Sequence, residues 1–578
     1  MSTTIEMEYD NCCNVSKVPP GRHPNKLSDK CQCNVRFATE KKLCKSKLVY
    51  SMKLRLLTSD DISTLKELCM EWFPIKYPDS WIQNAIRRRF CSAPHKHEER
   101  VDAICNQVKK RNKLPSFLKK PLCTSRPNWL SLSTTFFQKN KCDKISIPLY
   151  DILHLDEQRM VVKVEPMVSV GDMVSYLVPR GYTLAVTLEI GDATCGGLAL
   201  AVGMTTYSHK VGLYQEAVES FDIVLSDGSL IHVTRNNEHK DLFYCLPWSH
   251  GTLGFLVALE LKIIPVKPYV HMRYIPVKGQ KAYCDKLRKL SGALDKEALM
   301  PDYLEATVYS REEAVIMVGN FADVKSTNDK KLINHVARWY KPWFYKHVEN
   351  FLHLGEGEEF IPLGDYLLRH NRSIFWVVES MIPFGNHPVF RYFLGWLCPP
   401  KPAFLKFSTT PGIRAMTFTK QVFQDIVLPM TVLEKSIDVA ESLFDTYPVL
   451  IYPCRIYNHG EHMGQLRPPR PDQMCPNGNY GMFYDLGVYG VPGKVKRRER
   501  YDAVEAMRAM EKFIRDSGGY SFLYADIFMT SEEFNEMFDL TLYNQCREKY
   551  KAEDAFPHLY EKVRPEVDVF AIGKAHAN

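Results

Sequence analysis

The chain has no uninterrupted run of about eighteen apolar residues, the length that crosses a bilayer, so no conventional membrane-spanning helix is expected. It has no GxGxxG fingerprint and no GxxxxGK[ST] loop, which removes local support for a Rossmann dinucleotide site or a P-loop. Zinc-finger spacings, RNP-like segments, internal repeats and low-complexity tracts are also missing. The 17 cysteines are scattered. An N-terminal group of Cys12, Cys13, Cys31, Cys33 and Cys44 with His23 lacks paired CxxC knuckles, so no metal site is expected there. No signal-peptide pattern opens the sequence, and reduced thiols in a cytosol-facing compartment are the expectation.

What is present points to a globular chain with more than one core. At 578 residues, 45% hydrophobic and 25% charged, it should hold two or three domains. The net charge of +8 is uneven: residues 1–150 carry 28 Lys+Arg against 14 Asp+Glu, a balance of +14, which leaves −6 for the remainder. A basic segment suits an anionic lipid surface or is merely a solvated face; without a recognisable motif, no nucleic-acid partner is expected.

Glycine is sparse overall, 30 in 578, yet six fall within residues 191–228, GDATCGGLALAVGMTTYSHKVGLYQEAVESFDIVLSDG. Without a Cβ, glycine reaches φ > 0 and lets backbone N–H groups approach an anion, and hydroxyls at Thr194, Thr205, Thr206 and Ser208 add donors suited to a pyrophosphate. The plain alternative is a glycine-rich surface loop. A strand is expected over 216–225, a D-G turn at 226–229 and a returning strand over 230–234.

Around this stretch short strands and helices alternate. Helices are expected at 53–73, 97–111 and 171–180, strands at 145–149, 160–165, 182–186 and 255–265. Beyond Pro268 the composition shifts to aromatic clusters at 339–351 and 390–407, helices at 498–515 and 532–540, and a strand at 481–486. The expected class is α+β, with a divergent basic segment at 1–90, one domain at 91–267 and a larger one at 268–578.

The segments TCGGLALAVG, SHKVGLYQ, VLSDGS, DLFYCLPWSHGTLGFLVALELKIIP, KPWFYKHVENFL, RSIFWVVESMIPFGNHPVFRYFLGW, VPGKVK and LYADIFMTSEEFNEMFD resemble, in order over residues 91–578, the delta(24)-sterol reductase family, also called diminuto or seladin-1. That family has the vanillyl-alcohol-oxidase-type (PCMH-type) FAD domain. The resemblance implies a two-domain flavoprotein, with FAD bound in the first domain and a sterol substrate covered by the second.

Carried onto this sequence, FAD contacts are expected from Thr194, Cys195, Gly196, Gly197, Leu198, Ala199, Leu200, Ala201, Val202, Gly203, Met204, Thr205 and Thr206. His209, Gly212, Gly251, Gly254 and Arg126 should flank them. Two departures stand out: residues 1–90 match no hydrophobic anchor, and the earlier flavin loop reads Thr124-Ser-Arg-Pro-Asn-Trp129, with no histidine for covalent attachment. Non-covalent FAD is therefore expected.

The family reaction implied is saturation of the C24=C25 side-chain alkene with NADPH as reductant. An isolated alkene is a poor hydride acceptor, so a buried acid with a raised pKa should supply a proton. Asp485, Tyr489, Tyr524 and Asp526 are the candidates; each also reads as an ordinary buried hydrogen-bonding group. Another flavin oxidase or dehydrogenase, or a non-catalytic sterol-binding scaffold, are the alternatives. Peripheral attachment to the cytosolic face of the endoplasmic reticulum is expected from family resemblance and from the aromatic clusters with Lys341 and Lys346, although those aromatics could equally pack inside the domain.

Overall fold

A computed structural model describes residues 94–294, 300–397, 406, 410–476 and 478–571. Two units are distinguished, Met1–Arg89 and Phe90–Asn578. The first lies outside the described residues, and with it the expectations for residues 1–90, including the helix at 53–73.

The second unit opens with helix α1, Pro94–Asn112. Val101, Ile104, Cys105 and Val108 form its buried stripe at helical spacing, and Lys109, Lys110 and Arg111 complement the negative end of its dipole. Two short parallel strands follow, β1 (Leu122–Thr124) and β2 (Asp143–Ile145). The strand expected over 145–149 stops at Ile145, where the Ser146 backbone turns to the Gln107 side chain of α1, its N donating to Gln107 Oε1 at 3.0 Å.

A six-stranded antiparallel sheet comes next, built from β3 (Ile152–Asp156), β4 (Val161–Val164), β5 (Tyr182–Leu184), β6 (Val218–Val224), β7 (Leu230–Thr234) and β8 (Phe255–Pro265). Its order is β3-β4-β8-β6-β7, with β5 on β8. The β6–β7 turn requires its glycine twice over: Gly228 has φ +84°, and a Cβ there would lie 2.9 Å from the Cys105 carbonyl oxygen of α1. Helix α2 (Val170–Leu177) and helix α3 (Cys195–Ala201) lie in the long connections of this sheet.

The chain then changes sheet between Pro265 and Tyr269. Strands β9 (Tyr269–Lys278), β10 (Tyr303–Ser310), β11 (Glu313–Ala322), β12 (Gly357–Pro362), β13 (Val422–Pro429), β14 (Val449–Tyr457), β15 (Tyr480–Gly490) and β16 (Tyr520–Ser521) form an eight-stranded sheet. Its order is β12-β9-β11-β10-β14-β15-β13-β16. Helix Ala503–Ser517 is shorter at its start than the expected 498–515, since Asp502 caps it by accepting from Glu505 N and Arg498 has φ +61°. Buried side chains of both sheets join in one core. Helices and sheets together give the α+β class.

Residues alternate sides along a strand, which sorts the faces of β15. Tyr484 points to the helix side, donating to Ser436 Oγ of helix Leu433–Phe444 at 2.6 Å. Asp485, Gly487 and Tyr489 therefore face the opposite way. On that face Tyr452 of β14 is directly opposite Asp485, and Asp425 of β13 is opposite Gly487. Thr206 of the glycine-rich stretch meets the same region: its carbonyl accepts from Leu304 N at 3.0 Å, and its hydroxyl lies 3.1 Å from Tyr366 Oη.

Candidate active site

The glycine-rich stretch divides into an outer rim and a packed interior. Thr194 caps α3, its hydroxyl accepting from Gly197 N at 3.3 Å. Cys195 N and Gly196 N donate to the carbonyls of Val168 and Pro166, both at 2.9 Å, so two first-turn amides are already satisfied by the chain. Gly196 is glycine for packing rather than for an anion, because a Cβ would stand 2.4 Å from Pro166 Cβ and 2.8 Å from its Cα. Gly197 differs: it is exposed, and apart from Thr194 Oγ1 at 2.9 Å a Cβ would meet nothing within 4 Å.

Most remaining members of the expected cofactor set turn inward. Cys195, Leu198, Ala199, Val202, Gly203 and Met204 are buried in the core, while Leu200 and Ala201 are half-buried. Thr205 donates to Glu189 Oε1 at 2.9 Å. The buried His209 ring has its nitrogens 3.1 and 2.9 Å from the carbonyl oxygens of Thr206 and Pro301; burial lowers its pKa to about 4, and the single N–H of the neutral ring donates to one of these two carbonyls. Gly212 approaches Arg455 O, and Gly254 approaches the side chain of Ile223 and the backbone of Val224. Gly251 follows His250, whose N donates to Leu200 O at 3.0 Å and whose Nε2 is buried without a partner.

Beside the rim lies a concentration of positive charge. Arg126 places Nη1 3.4 Å from Thr194 Oγ1 and donates from Nη2 to Leu130 O, while its buried Nε has no partner. Lys139 donates to the carbonyls of Thr124 and Arg126, and the Lys562 ammonium sits 3.9 Å over the Phe137 ring. Desolvation lowers all three pKa values, that of Lys139 to about 8. Among the described residues none of the three forms an ion pair with a carboxylate. Arg126, desolvated and with an unpartnered Nε beside Thr194 and the open Gly197, has the donor chemistry of a diphosphate seat, so the residues present fit FAD.

The inward face of the large sheet carries acids. Asp425 accepts hydrogen bonds from the hydroxyls of Tyr489 and Tyr524 on its two carboxylate oxygens. Burial raises its pKa to about 6 against the pull of those two donors. Asp485 accepts from Ile426 N at 3.2 Å; burial, then the charge of Asp425, hold its carboxyl well above the usual carboxylate range. Next to them Arg369 donates to Glu305 Oε2 and Tyr452 Oη, each at 3.0 Å, and lies 3.4 Å from Glu189 Oε1. Burial lifts Glu189 to about 7, the Arg369 charge opposing it.

Known proteins resemble the chain over most of its length. A delta(24)-sterol reductase of Homo sapiens is 41% identical over 478 residues, covering 82% of this chain and 88% of that protein. A delta(24)-sterol reductase homolog of Caenorhabditis elegans is 36% identical over 532 residues, covering 87% of this chain and 98% of that protein.

The chain belongs to the delta(24)-sterol reductase family.

The profile of a family described as FAD binding domain matches residues 132–234, which include the rim at Thr194 and Gly197 and most of the loop between β1 and β2. A stretch of 63 residues is also 43% identical to N-alpha-acetyltransferase 60 of Xenopus tropicalis, covering 11% of this chain and 26% of that protein. For this family member, three of the four expected acids come together, Asp485, Tyr489 and Tyr524. Asp526 is held apart from them: its carboxylate takes a bidentate bond from Arg414 at 2.7 and 2.8 Å and the Thr134 hydroxyl at 3.0 Å, the pairing of a structural ion.

Asp425, Glu189 and Arg369 were not legible as site residues. The one available signal was Asp425 itself, a lone acid in the apolar strand Val422–Pro429, where an unpaired charge is costly and calls for an explanation.

Proposed function

We propose that the chain is an FAD-dependent, NADPH-dependent reductase that saturates the C24=C25 side-chain bond of a sterol, with residues 91–267 as the FAD-binding domain and 268–578 as the substrate domain. The observation that carries this reading is Asp425 clamped between Tyr489 and Tyr524 on the sheet face turned toward the glycine-rich stretch. When bound, FAD supplies hydride transfer, accepting a hydride from NADPH and passing it to carbon. Arg126, Thr194 and Gly197 would hold its diphosphate. Burial disfavours the charge of Asp425 and raises its pKa to about 6, so it takes up a proton just on the acid side of neutrality, and the two tyrosine hydroxyls fix its orientation. Through Tyr489 that proton reaches the less substituted alkene carbon, leaving the developing positive charge on the more substituted one to be quenched by hydride. Overall, sterol alkene, NADPH and one proton become the saturated sterol and NADP+.

Incubation of purified protein with NADPH, FAD and a sterol carrying a C24=C25 bond should yield a product heavier by two hydrogens. Flavin that is reduced by NADPH, reoxidised rapidly by oxygen and untouched by sterol would establish the oxidase alternative; protein without a flavin band would establish the scaffold.

The diphosphate seat makes a paired prediction. Gly197→Val should abolish FAD binding in a folded chain, since its side chain enters the open space beside Thr194. Gly196→Ala should instead destabilise the fold, by about 3 kcal/mol, through overlap with Pro166. Flavin occupancy and urea unfolding of the two variants check this; full occupancy in Gly197→Val refutes the seat. Acid precipitation of wild type should leave yellow flavin in the supernatant, because no histidine stands in residues 124–129. Flavin retained in the pellet would show a covalent link.

Among the described residues no helix is long and apolar enough to cross a membrane. Of the first aromatic cluster, Trp343, Phe344 and Tyr345 are buried, while Trp339 is 40% exposed. In the second, on and after helix Pro388–Leu394, Phe393 is 74% and Trp396 62% exposed, and Tyr392 is exposed beside them. Peripheral attachment to the endoplasmic reticulum therefore rests on the second cluster together with Trp339 of the first, whose ring lies 6.3 Å from that of Tyr392. Anionic liposomes should float wild type at low salt but not Phe393→Ser plus Trp396→Ser; equal flotation of the folded variant refutes this surface.

A further inference from the structure

A desolvated ammonium is costly without an anion, yet Lys139 and Lys562 meet no carboxylate among the described residues. The group their charges reach is the buried thiol of Cys123 in β1. Lys139 is held there by donating to Thr124 O and Oγ1 at 3.1 and 3.2 Å, and Lys562 by the Phe137 ring beneath its ammonium.

A second thiol stands beside the first. In the parallel β1–β2 pair Cys123 is opposite Lys144. Cys142, in extended backbone two residues before Lys144, lies on the same face, because side chains alternate along a strand. The two side chains share a hydrogen bond in which the Cys142 S–H donates to the Cys123 sulfur. That bond, then the charges of Lys562, Lys139 and Lys144, hold the Cys123 thiol below its ordinary value, at about 7, while the same bond keeps the proton on Cys142. Access runs the other way: among the described cysteines Cys142 alone is not buried, whereas Cys123 is 4% exposed. An inner thiolate is thus bonded to an outer thiol, with lysines around the inner one.

We propose that Cys123 and Cys142 form a redox-active dithiol, which closes into an intramolecular disulfide with a small-molecule disulfide, RSSR, as the oxidant. In the first step Cys142 Sγ attacks the S–S bond, its proton passes along the hydrogen bond to Cys123, and one RS− leaves. In the second step Cys123 Sγ attacks Cys142 Sγ of the mixed disulfide; the Cys123–Cys142 bond forms, the Cys142–SR bond breaks, and the second RS group departs with the Cys123 proton as RSH. The protein gives up two electrons, and RSSR takes them to become RS− and RSH. The bond joins the two ends of the segment that carries Arg126, and an excess of small thiol reverses it. In a reducing compartment a disulfide of this kind is transient and regulatory. Neither step involves FAD or sterol, so the dithiol stands apart from the proposed reductase activity.

The test uses the purified full-length protein, equilibrated near neutral pH in mixtures of reduced and oxidised glutathione, quenched with acid, alkylated and digested for peptide mass analysis. As the mixture becomes more oxidising, Cys123 and Cys142 should pass together from two alkylated thiols to one cross-linked pair, lighter by two hydrogens than the two free thiols, and dithiothreitol should restore both. Cys123→Ser should stop at Cys142 joined to one glutathione. Cys142→Ser should leave Cys123 free, since the outer thiol is the point of entry. Two separately alkylated thiols at every ratio, or a cross-link from either cysteine to any other, would overturn the proposal. So would uptake of glutathione by Cys123 in folded Cys142→Ser. Should a variant not fold, the wild-type cross-link alone decides.

Discussion

Asp425→Asn should slow reoxidation of reduced flavin by sterol about a thousandfold, while reduction of the same flavin by NADPH should proceed at the wild-type rate; stopped-flow of the two half-reactions is the measurement. The amide has no acidic proton and can accept from only one of the two tyrosines, so both the proton and its orientation are lost. Tyr489→Phe gives a smaller loss, since the acid remains and only its relay is removed. Asp485→Asn costs least, because burial beside Asp425 already keeps that carboxyl protonated and the amide is a close mimic. A more damaging Asp485→Asn would make Asp485 the acid.

The pH dependence follows from the same residue. Its folded pKa of about 6 lies above the ordinary 3.8, so the folded protein binds this proton more tightly than the unfolded chain. The resulting stabilisation is complete below pH 4 and is lost as pH rises through 6, amounting to about 3 kcal/mol. The sterol half-reaction should fall over the upper part of that window, as the acid loses its proton. Asp425→Asn should flatten both profiles between pH 4 and 6; urea midpoints across that range check the stability. A variant whose stability still falls with wild-type slope removes Asp425 as the titrating group.

Arg369→Met should destabilise the protein by about 3–5 kcal/mol, the cost of leaving a buried carboxylate without its counter-charge. Glu189 and Glu305 are both 1% exposed at the side chain, and Arg369 is the cation that meets them. Adding Glu189→Gln and Glu305→Gln should recover most of the loss, since neutral amides need no cation. Urea unfolding of the single and triple variants measures it. A single variant as stable as wild type would show that the carboxyls are already neutral.

The sequence determined whatever depends on neighbours along the chain. Leu230–Thr234 and Phe255–Pro265 are strands at the expected residues because alternating apolar side chains and a D-G turn act over a few positions. The order of motifs over residues 91–578 was enough to name the family, and the lack of a histidine in residues 124–129 is what makes non-covalent flavin the expectation. Tertiary structure decided the chemistry. Asp425 lies 64 residues from Tyr489 and 99 from Tyr524, and it meets them only because the sheet runs β14-β15-β13-β16, an order that periodicity cannot report. The same holds for Asp526, an acid in sequence that Arg414 neutralises from 112 residues away, and for Trp343 against Trp396, two tryptophans of similar surroundings in the chain, one buried and one exposed. Hydrophobic pattern records that a residue prefers burial; which partner a buried charge finds, and which apolar face is left uncovered, is fixed by the pairing of distant strands.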